Sequence, residues 1–198
     1  MDVYKEVEKI YEENPDKIKA IGVSNWSVSY LERLLKNSTV IPAINQIELH
    51  PSCTQTELVG FSQSKGIALT AYSPLGSTGS PLAYNEVVRE VAEKKGISPH
   101  TVLVSLWANM DQISVLSKSV TPERIRCKCL DPYLHGCGKT AFWSYPVTDG
   151  PHHAANMKLV DLSDEEIDQL LAIDKTFHLR FCHPDWTGYG SLGFPDCE

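Results

Sequence analysis

The sequence predicts an α/β fold in which parallel strands alternate with helices, and two observations support this. First, four short apolar runs each end abruptly in polar residues, as strands buried on both faces do when their carboxyl ends reach a ligand site. Second, the spacing between these runs leaves room for one helix after each strand, as in a (β/α) barrel. The four runs are residues 20–25, 43–48, 68–76 and 114–120.

Helical periodicity and capping residues predict the elements between these runs. Ser27 is a predicted N-cap, Ser98 and Pro99 suit the start of a helix, and Ser163 with Glu166 has the spacing of a capping box. Predicted helices cover residues 4–13, 27–35, 55–65, 82–95, 98–109 and 164–172, and predicted strands cover 18–23, 42–49, 67–72 and 114–119.

Length and charge narrow the class of protein. The chain has 198 residues and a formal net charge of −7, without a basic run, so nucleic-acid binding is not expected. No apolar stretch reaches membrane-spanning length and the first residues lack the apolar core of a signal peptide, so we expect a cytoplasmic protein with reduced cysteines. A complete barrel of this type usually needs about 250 residues, so the sequence predicts only part of one.

Four motifs resemble one enzyme family in order and spacing. They are Ile21–Asn25, Pro42–Pro51, Tyr72–Ser77 and Lys118–Ile125. Together they are similar to the second half of the aldo-keto reductases, which are TIM-type (β/α)8 barrels that reduce aldehydes and ketones with NADPH. The resemblance implies that the chain contains strands five to eight with their helices, plus an irregular insertion and a C-terminal loop.

The insertion interrupts the resemblance. Residues 1–126 and 155–198 are family-like, whereas residues 127–154 carry Pro, Gly, Cys and His without periodicity. Removing them gives a continuous family-like join, so one hypothesis is that they are translated intron sequence. A structural zinc site is the alternative, although the spacing matches no common zinc pattern and we predict no metal. Its candidate ligands are Cys127, Cys129, His135, Cys137, His152 and His153.

The resemblance also defines what a catalytic site would need. The family uses an Asp, a Tyr that protonates the carbonyl oxygen, a Lys and a His, and no segment of this sequence resembles the motifs that carry them. We therefore predict no catalytic residue and a truncated, catalytically incompetent chain of an NADP-dependent oxidoreductase family. The alternatives are a non-catalytic half-barrel that binds a dinucleotide and a truncated gene product without function.

The resemblance assigns the cofactor, NADP(H), to particular residues. It implies that Ser24, Asn25 and Gln46 bind the nicotinamide carboxamide, and that the Tyr72 ring stacks on the nicotinamide. It further implies that Ser73, Leu75 and Ser77 border the pyrophosphate. The expected contacts of the adenosine end are Lys118, Ser119, Val120, Thr121 and Arg124 at the 2′-phosphate, and Asn156 at the adenine.

Two expectations concern binding partners. Residues 177–198 resemble the family's C-terminal loop, which covers the pocket for a small carbonyl substrate. Open sheet edges in a partial barrel would favour self-association. No nucleic acid or membrane is expected as a partner.

Overall fold

The computed structural model describes residues 2–77, 79–118, 140–142, 160–183, 188 and 190–197. Helices and parallel strands alternate along most of this chain. In chain order the elements are α1 (Asp2–Glu13), β1 (Val23–Ser24), α2 (Val28–Asn37), β2 (Ile44–Glu48), α3 (Thr56–Ser64), β3 (Ala68–Tyr72), α4 (Glu86–Lys95), α5 (Pro99–Ala108), β4 (Ile113–Leu116), β5 (Thr140–Phe142), α6 (Asp164–Leu171) and α7 (Ile173–Thr176), with short 3₁₀ helices at Leu82–Tyr84 and Pro195–Cys197.

The chain divides into two compact units. Unit 1 contains residues 1–47, 55–70 and 182–198, and unit 2 contains residues 48–54 and 71–181. In unit 1 the strands lie in the order β1, β2, β3, and in unit 2 in the order β3, β4, β5.

The β1–β2 pair is the central feature of unit 1. The two strands are parallel, with Val23 opposite Asn45 and Ser24 opposite Gln46. Gly22 allows this close approach, because a Cβ at this position would lie 2.6 Å from the Ile44 Cγ2 atom. The buried apolar side chains of this unit are Tyr4, Leu31, Leu34, Ile47, Leu58, Val59, Ile67, Leu69 and Phe194.

A buried carboxylate anchors α1 in the same unit. The Glu8 Oε1 atom accepts hydrogen bonds from the backbone N–H groups of Thr39 and Val40, both at 2.7 Å. Burial raises the pKa of Glu8, but these N–H groups more than compensate and hold the pKa below its ordinary value. The helix therefore packs against the segment before β2 as a charged anchor and not only through its apolar side chains.

Capping residues define the helices of unit 2. The Asn85 side chain accepts hydrogen bonds from the N–H groups at the start of α4, and Ser98 accepts one from Thr101 at the start of α5. Pro99 then occupies the first turn of α5, where a missing N–H costs nothing. Helix α5 is buried almost all round, with Trp107 fully enclosed, so it forms the core of this unit.

The fifth strand comes from the segment predicted to be irregular. Strand β5 pairs in parallel with β4, and Ser114 lies opposite Thr140. The proposed division into residues 1–126, 127–154 and 155–198 remains a prediction, and so does its explanation by intron sequence. The candidate zinc ligands between Cys127 and His153 lie outside the described residues.

Several predicted boundaries differ from the structure. The strand predicted at residues 18–23 is reduced to β1, and the helix predicted at 82–95 is a 3₁₀ turn followed by α4, because the Asn85 side chain caps a new helix start. The assignment to barrel strands five to eight is also wrong. The described chain shows β1 to β4 in order from its N-terminal part, and local motifs carry no count of the strands before them.

Every helix in the described part of the chain is too short or too polar to cross a bilayer.

A second buried carboxylate joins α4 to α6 in unit 2. Glu166 forms the predicted capping box with Ser163 and also contacts the Lys94 and Lys95 ammonium groups, each at 3.0 Å. Burial raises the pKa of Glu166, but the Ser163 N–H and the two ammonium groups outweigh it and lower the pKa to about 2.

We predict that Glu166→Gln lowers the stability of the protein at neutral pH. Because the folded-state pKa is about 2 and the ordinary value is 4.5, the carboxylate stabilises the fold above pH 4.5 by up to about 3 kcal/mol. This stabilisation is lost as the pH falls from 4.5 towards 2, so the two melting temperatures should converge. Thermal unfolding between pH 7 and pH 3 measures this, and Asp168→Asn on the exposed face of α6 is the control. A constant difference at all pH values would contradict the prediction.

Candidate functional site

The carboxyl ends of β1 and β2 bring three predicted site residues together in unit 1. The Gln46 carbonyl oxygen accepts hydrogen bonds from the Ser24 hydroxyl and from the Asn25 N–H, both at 2.9 Å. Asn25 has a φ of 56°, in the left-handed region that asparagine enters more readily than most residues. Ser24 is exposed, and Asn25 and Gln46 are half-buried, so this strand end is accessible to a polar ligand.

A fourth residue of this strand end was not predicted. Asn45 is fully buried, and its amide accepts a hydrogen bond from the Trp26 N–H at 3.3 Å and donates one to the Trp26 carbonyl oxygen at 2.8 Å. The Trp26 ring lies against Tyr4 and Tyr30, with centroid distances of 6.3 and 6.1 Å. Asparagine is unusual within a strand, and this was the signal in the sequence that could have identified Asn45.

The turn after β3 carries the next group of predicted site residues, all in unit 2. Tyr72 ends the strand, and Ser73 adopts a φ of 52° immediately after it. The Ser73 carbonyl oxygen accepts a hydrogen bond from the Gly76 N–H at 2.7 Å, which closes a tight turn around Leu75. Tyr72, Ser73 and Leu75 are half-buried and Ser77 is exposed. The turn therefore presents hydroxyl and backbone groups, which are the groups that bind phosphates.

The conformation and packing of this turn require glycine at position 76. Its φ is 76°, and a Cβ there would overlap the Ser80 hydroxyl and lie 2.8 Å from the Phe181 Cε2 atom. The turn is thus packed closely on both sides, and its conformation depends on the absence of a side chain.

Lys118 is the remaining predicted contact that can be located. It is exposed and follows β4 by two residues in unit 2, as expected for a strand-end cation. The other predicted contacts, Ser119, Val120, Thr121, Arg124 and Asn156, lie outside the described residues.

A buried polar group in unit 2 was also not predicted. Glu48, His50 and Ser52 are completely buried, and the Glu48 Oε1 atom accepts hydrogen bonds from His50 Nε2 at 2.9 Å and from the Phe181 N–H at 2.8 Å. The Ser52 hydroxyl lies 3.2 Å from His50 Nδ1. The Phe181 ring meets the imidazole edge-on at 5.3 Å between centroids. Both ring nitrogens of His50 are therefore engaged by neighbouring side chains, and Glu48 connects β2 to the segment after α7 through Phe181.

The Tyr4 phenol is buried in unit 1 and has a raised pKa. Its hydroxyl donates a hydrogen bond to the Val40 carbonyl oxygen at 3.0 Å, and burial together with the Glu8 carboxylate raises the pKa of Tyr4 to about 12. A phenol in this state is a poor proton donor at neutral pH, because a general acid works best with a pKa near the operating pH.

Parallel strands that alternate with helices define a class of protein, the α/β proteins, in which ligand sites commonly lie at the carboxyl ends of the strands. A comparison with family models identifies the family. Residues 2–127 match the aldo/keto reductase family, and the chain belongs to it.

Named relatives agree with this assignment. The chain is 49% identical over 151 residues to a D-galacturonate reductase of Hypocrea jecorina, an alignment that covers 76% of this chain and 40% of the relative. It is 36% identical over 176 residues to a glycerol 2-dehydrogenase (NADP(+)) of Saccharomyces cerevisiae, covering 87% and 47%. A silkworm aldo-keto reductase solved in complex with NADPH superimposes with a TM-score of 0.69 at 25% identity, covering 96% of this chain and 52% of that one. The chain thus spans about half the length of the relatives it matches.

The family match also bears on the strand assignment. It lies in the N-terminal part of this chain and contains β1 to β4 in order, which overturns the prediction of strands five to eight.

We predict that Gly76→Ala destabilises the protein more than Gly79→Ala. Both glycines have a positive φ, 76° and 81°, so both substitutions cost about 1 kcal/mol of backbone strain. Only the Gly76 side chain would also collide with its neighbours, since no other part of the described chain lies within 4 Å of a Cβ at Gly79. Chemical denaturation of both variants measures the difference. Equal losses of stability would contradict the described turn.

Proposed function

We propose that this chain binds NADPH as an aldo-keto reductase does. The observation that carries the proposal is the strand end formed by Ser24, Asn25 and Gln46, where two donors converge on one carbonyl oxygen. Since the Ser24 hydroxyl gives its hydrogen to Gln46, its oxygen retains lone pairs that can accept from an amide N–H. A carboxamide also needs a donor for its oxygen, and the side-chain amides of Asn25 and Gln46 are of the right type. These residues therefore fit the nicotinamide carboxamide.

The resemblance to the family supports the remaining proposed contacts. Ser73, Leu75 and Ser77 would border the pyrophosphate, and the Tyr72 ring would stack on the nicotinamide. Lys118 would contact the 2′-phosphate, together with Ser119, Val120, Thr121 and Arg124, and Asn156 would contact the adenine. A cation at the 2′-phosphate favours NADPH over NADH, because NADH has no charge there.

When bound, NADPH supplies the hydride for reduction of a carbonyl group. We propose that a complete family member of this kind acts on a small aldehyde or ketone in the cytoplasm, but that this chain binds the cofactor without turnover. Two buried groups support the second part: Tyr4 has a raised pKa and a hydrogen-bonded hydroxyl, and both nitrogens of His50 are engaged by neighbouring side chains. Neither is suited to protonate a carbonyl oxygen.

The experiment that tests this function measures binding and turnover in one preparation. We predict that the purified chain enhances NADPH fluorescence with saturable binding, and that oxidation of NADPH with a generic aldehyde does not exceed the protein-free rate. An absence of binding would overturn the proposed function. Robust turnover would overturn only the proposal of incompetence and would require a general acid elsewhere in the chain.

A lysine substitution separates the phosphate contact from general binding in that experiment. Lys118→Ala should weaken NADPH binding about tenfold and leave NADH binding unchanged, since a charge-assisted contact is worth about 1.5–3 kcal/mol. Lys36→Ala, which removes an exposed lysine at the end of α2, is the matched control. Equal losses for NADPH and NADH would refute the assignment of Lys118.

We also propose self-association of the chain through the edge of its sheet. Support comes from β1, which stands first in the strand order and so forms one edge of the described sheet. Unpaired strand edges are templates for pairing with another chain.

Light scattering after size exclusion should therefore give a mass of two or more chains. Val23→Lys places a charge on the edge strand and should shift the population towards the monomer. Ile41→Lys, at an exposed position outside the strands, should not. A monomeric wild-type protein would refute this proposal without affecting the proposed cofactor site.

A further inference from the structure

We propose that Asn45 is the positioning residue of the carboxamide site, holding the turn that presents Ser24 and Asn25. This inference rests on the proposed function, because it assigns a role within the same site. Asn45 itself is buried and would not contact the cofactor. It acts through Trp26, the residue that follows Asn25.

The Asn45 amide satisfies both backbone polar groups of Trp26. Its oxygen accepts from the Trp26 N–H at 3.3 Å, and its nitrogen donates to the Trp26 carbonyl oxygen at 2.8 Å. Few side chains can do this, since the interaction needs a donor and an acceptor on one short planar group. An aspartate at this position would keep the acceptor and lose the donor, and an apolar residue would lose both.

This interaction matters because Asn25 is held in an unfavourable backbone conformation. Asparagine adopts a φ of 56° more readily than most residues do, but this conformation still costs free energy, and contacts on both sides of Asn25 help to hold it. On one side the Asn25 N–H donates to Gln46, and on the other Asn45 holds Trp26. Without Asn45 both hydrogen bonds to the Trp26 backbone are lost, although its ring contacts remain, and the turn can relax towards ordinary φ values.

Relaxation of the turn would lower the affinity of the carboxamide site more than it would lower the stability of the fold. The Ser24 hydroxyl and the Asn25 amide are attached to the turn, so their directions depend on its conformation. A site that must order its own groups on binding loses affinity, even if every residue that contacts the ligand is still present. Asn45 therefore contributes to affinity for the nicotinamide end and not for the phosphate end.

Two ligands separate this role from a general structural one. NADPH contains the nicotinamide, whereas adenosine 2′,5′-bisphosphate contains the adenine and 2′-phosphate without it. We expect Asn45→Ala to weaken NADPH binding about tenfold and to change the binding of adenosine 2′,5′-bisphosphate less than twofold. Asn45→Asp should have the same selective effect, and serves as the second variant if the alanine protein does not fold.

The control must lower stability without touching the turn. Glu8→Gln removes the charged anchor of α1 in the same unit, and should lower the melting temperature without changing the ratio of the two affinities. Hydrogen exchange provides a readout independent of ligand. The amides of Asn25 and Trp26 should exchange at least tenfold faster in the Asn45 variants and at an unchanged rate in Glu8→Gln.

The possible outcomes separate the positioning role of Asn45 from the proposed NADPH binding on which it rests. If the wild-type chain binds NADPH and the Asn45 variants keep the wild-type affinity ratio, the positioning role is overturned and the proposed function stands. A wild-type chain that binds neither ligand overturns both. A selective loss for NADPH with faster exchange at Asn25 and Trp26 supports the positioning role.

Discussion

Buried carboxylates have to be paired, and this requirement organises both units of the protein. Glu8, Glu48 and Glu166 are all at least nine-tenths buried, and each accepts a backbone N–H. Removal of a charge from water is costly unless hydrogen bonds replace the lost hydration. Each carboxylate can therefore be accommodated only if a particular stretch of backbone is brought to it. The hydrogen bonds of these carboxylates therefore specify the positions of helices and connecting segments more narrowly than apolar contacts could.

Hydrogen bonds also hold the backbone at the ends of two strands. After β1 and after β3 the chain turns through a non-glycine residue with positive φ, Asn25 and Ser73. Such residues are held by backbone hydrogen bonds to Gln46 and from Gly76, respectively. Strained turns that carry polar side chains are common at functional sites, because the strain is maintained by the surrounding contacts and the side chains are preorganised. The same geometry thus ends each strand and presents its functional groups.

Local signals made much of this structure predictable. The capping box of Ser163 and Glu166 and the helix start at Ser98 depend on residues a few positions apart, and both were predicted correctly. The roles of Asn45 and Glu48 depend on contacts with residues distant in sequence, which no local pattern encodes. The same limit explains the wrong strand assignment, since a motif identifies a type of strand end and not its place in a sheet. The site residues of β1, β2 and β3 were named from family motifs, and their hydrogen bonds needed the structure.

The Ser27 hydroxyl binds a residue distant in sequence instead of capping its own helix. Ser27 stands at the N-cap of α2, but its hydroxyl donates to the Leu192 carbonyl oxygen at 2.8 Å instead of capping the helix. The two residues are 165 positions apart. During synthesis on the ribosome, the partner of Ser27 emerges long after α2 has been made. Unit 1 therefore completes this hydrogen bond only after residue 192 has been translated, so its final packing cannot form while α2 is being made.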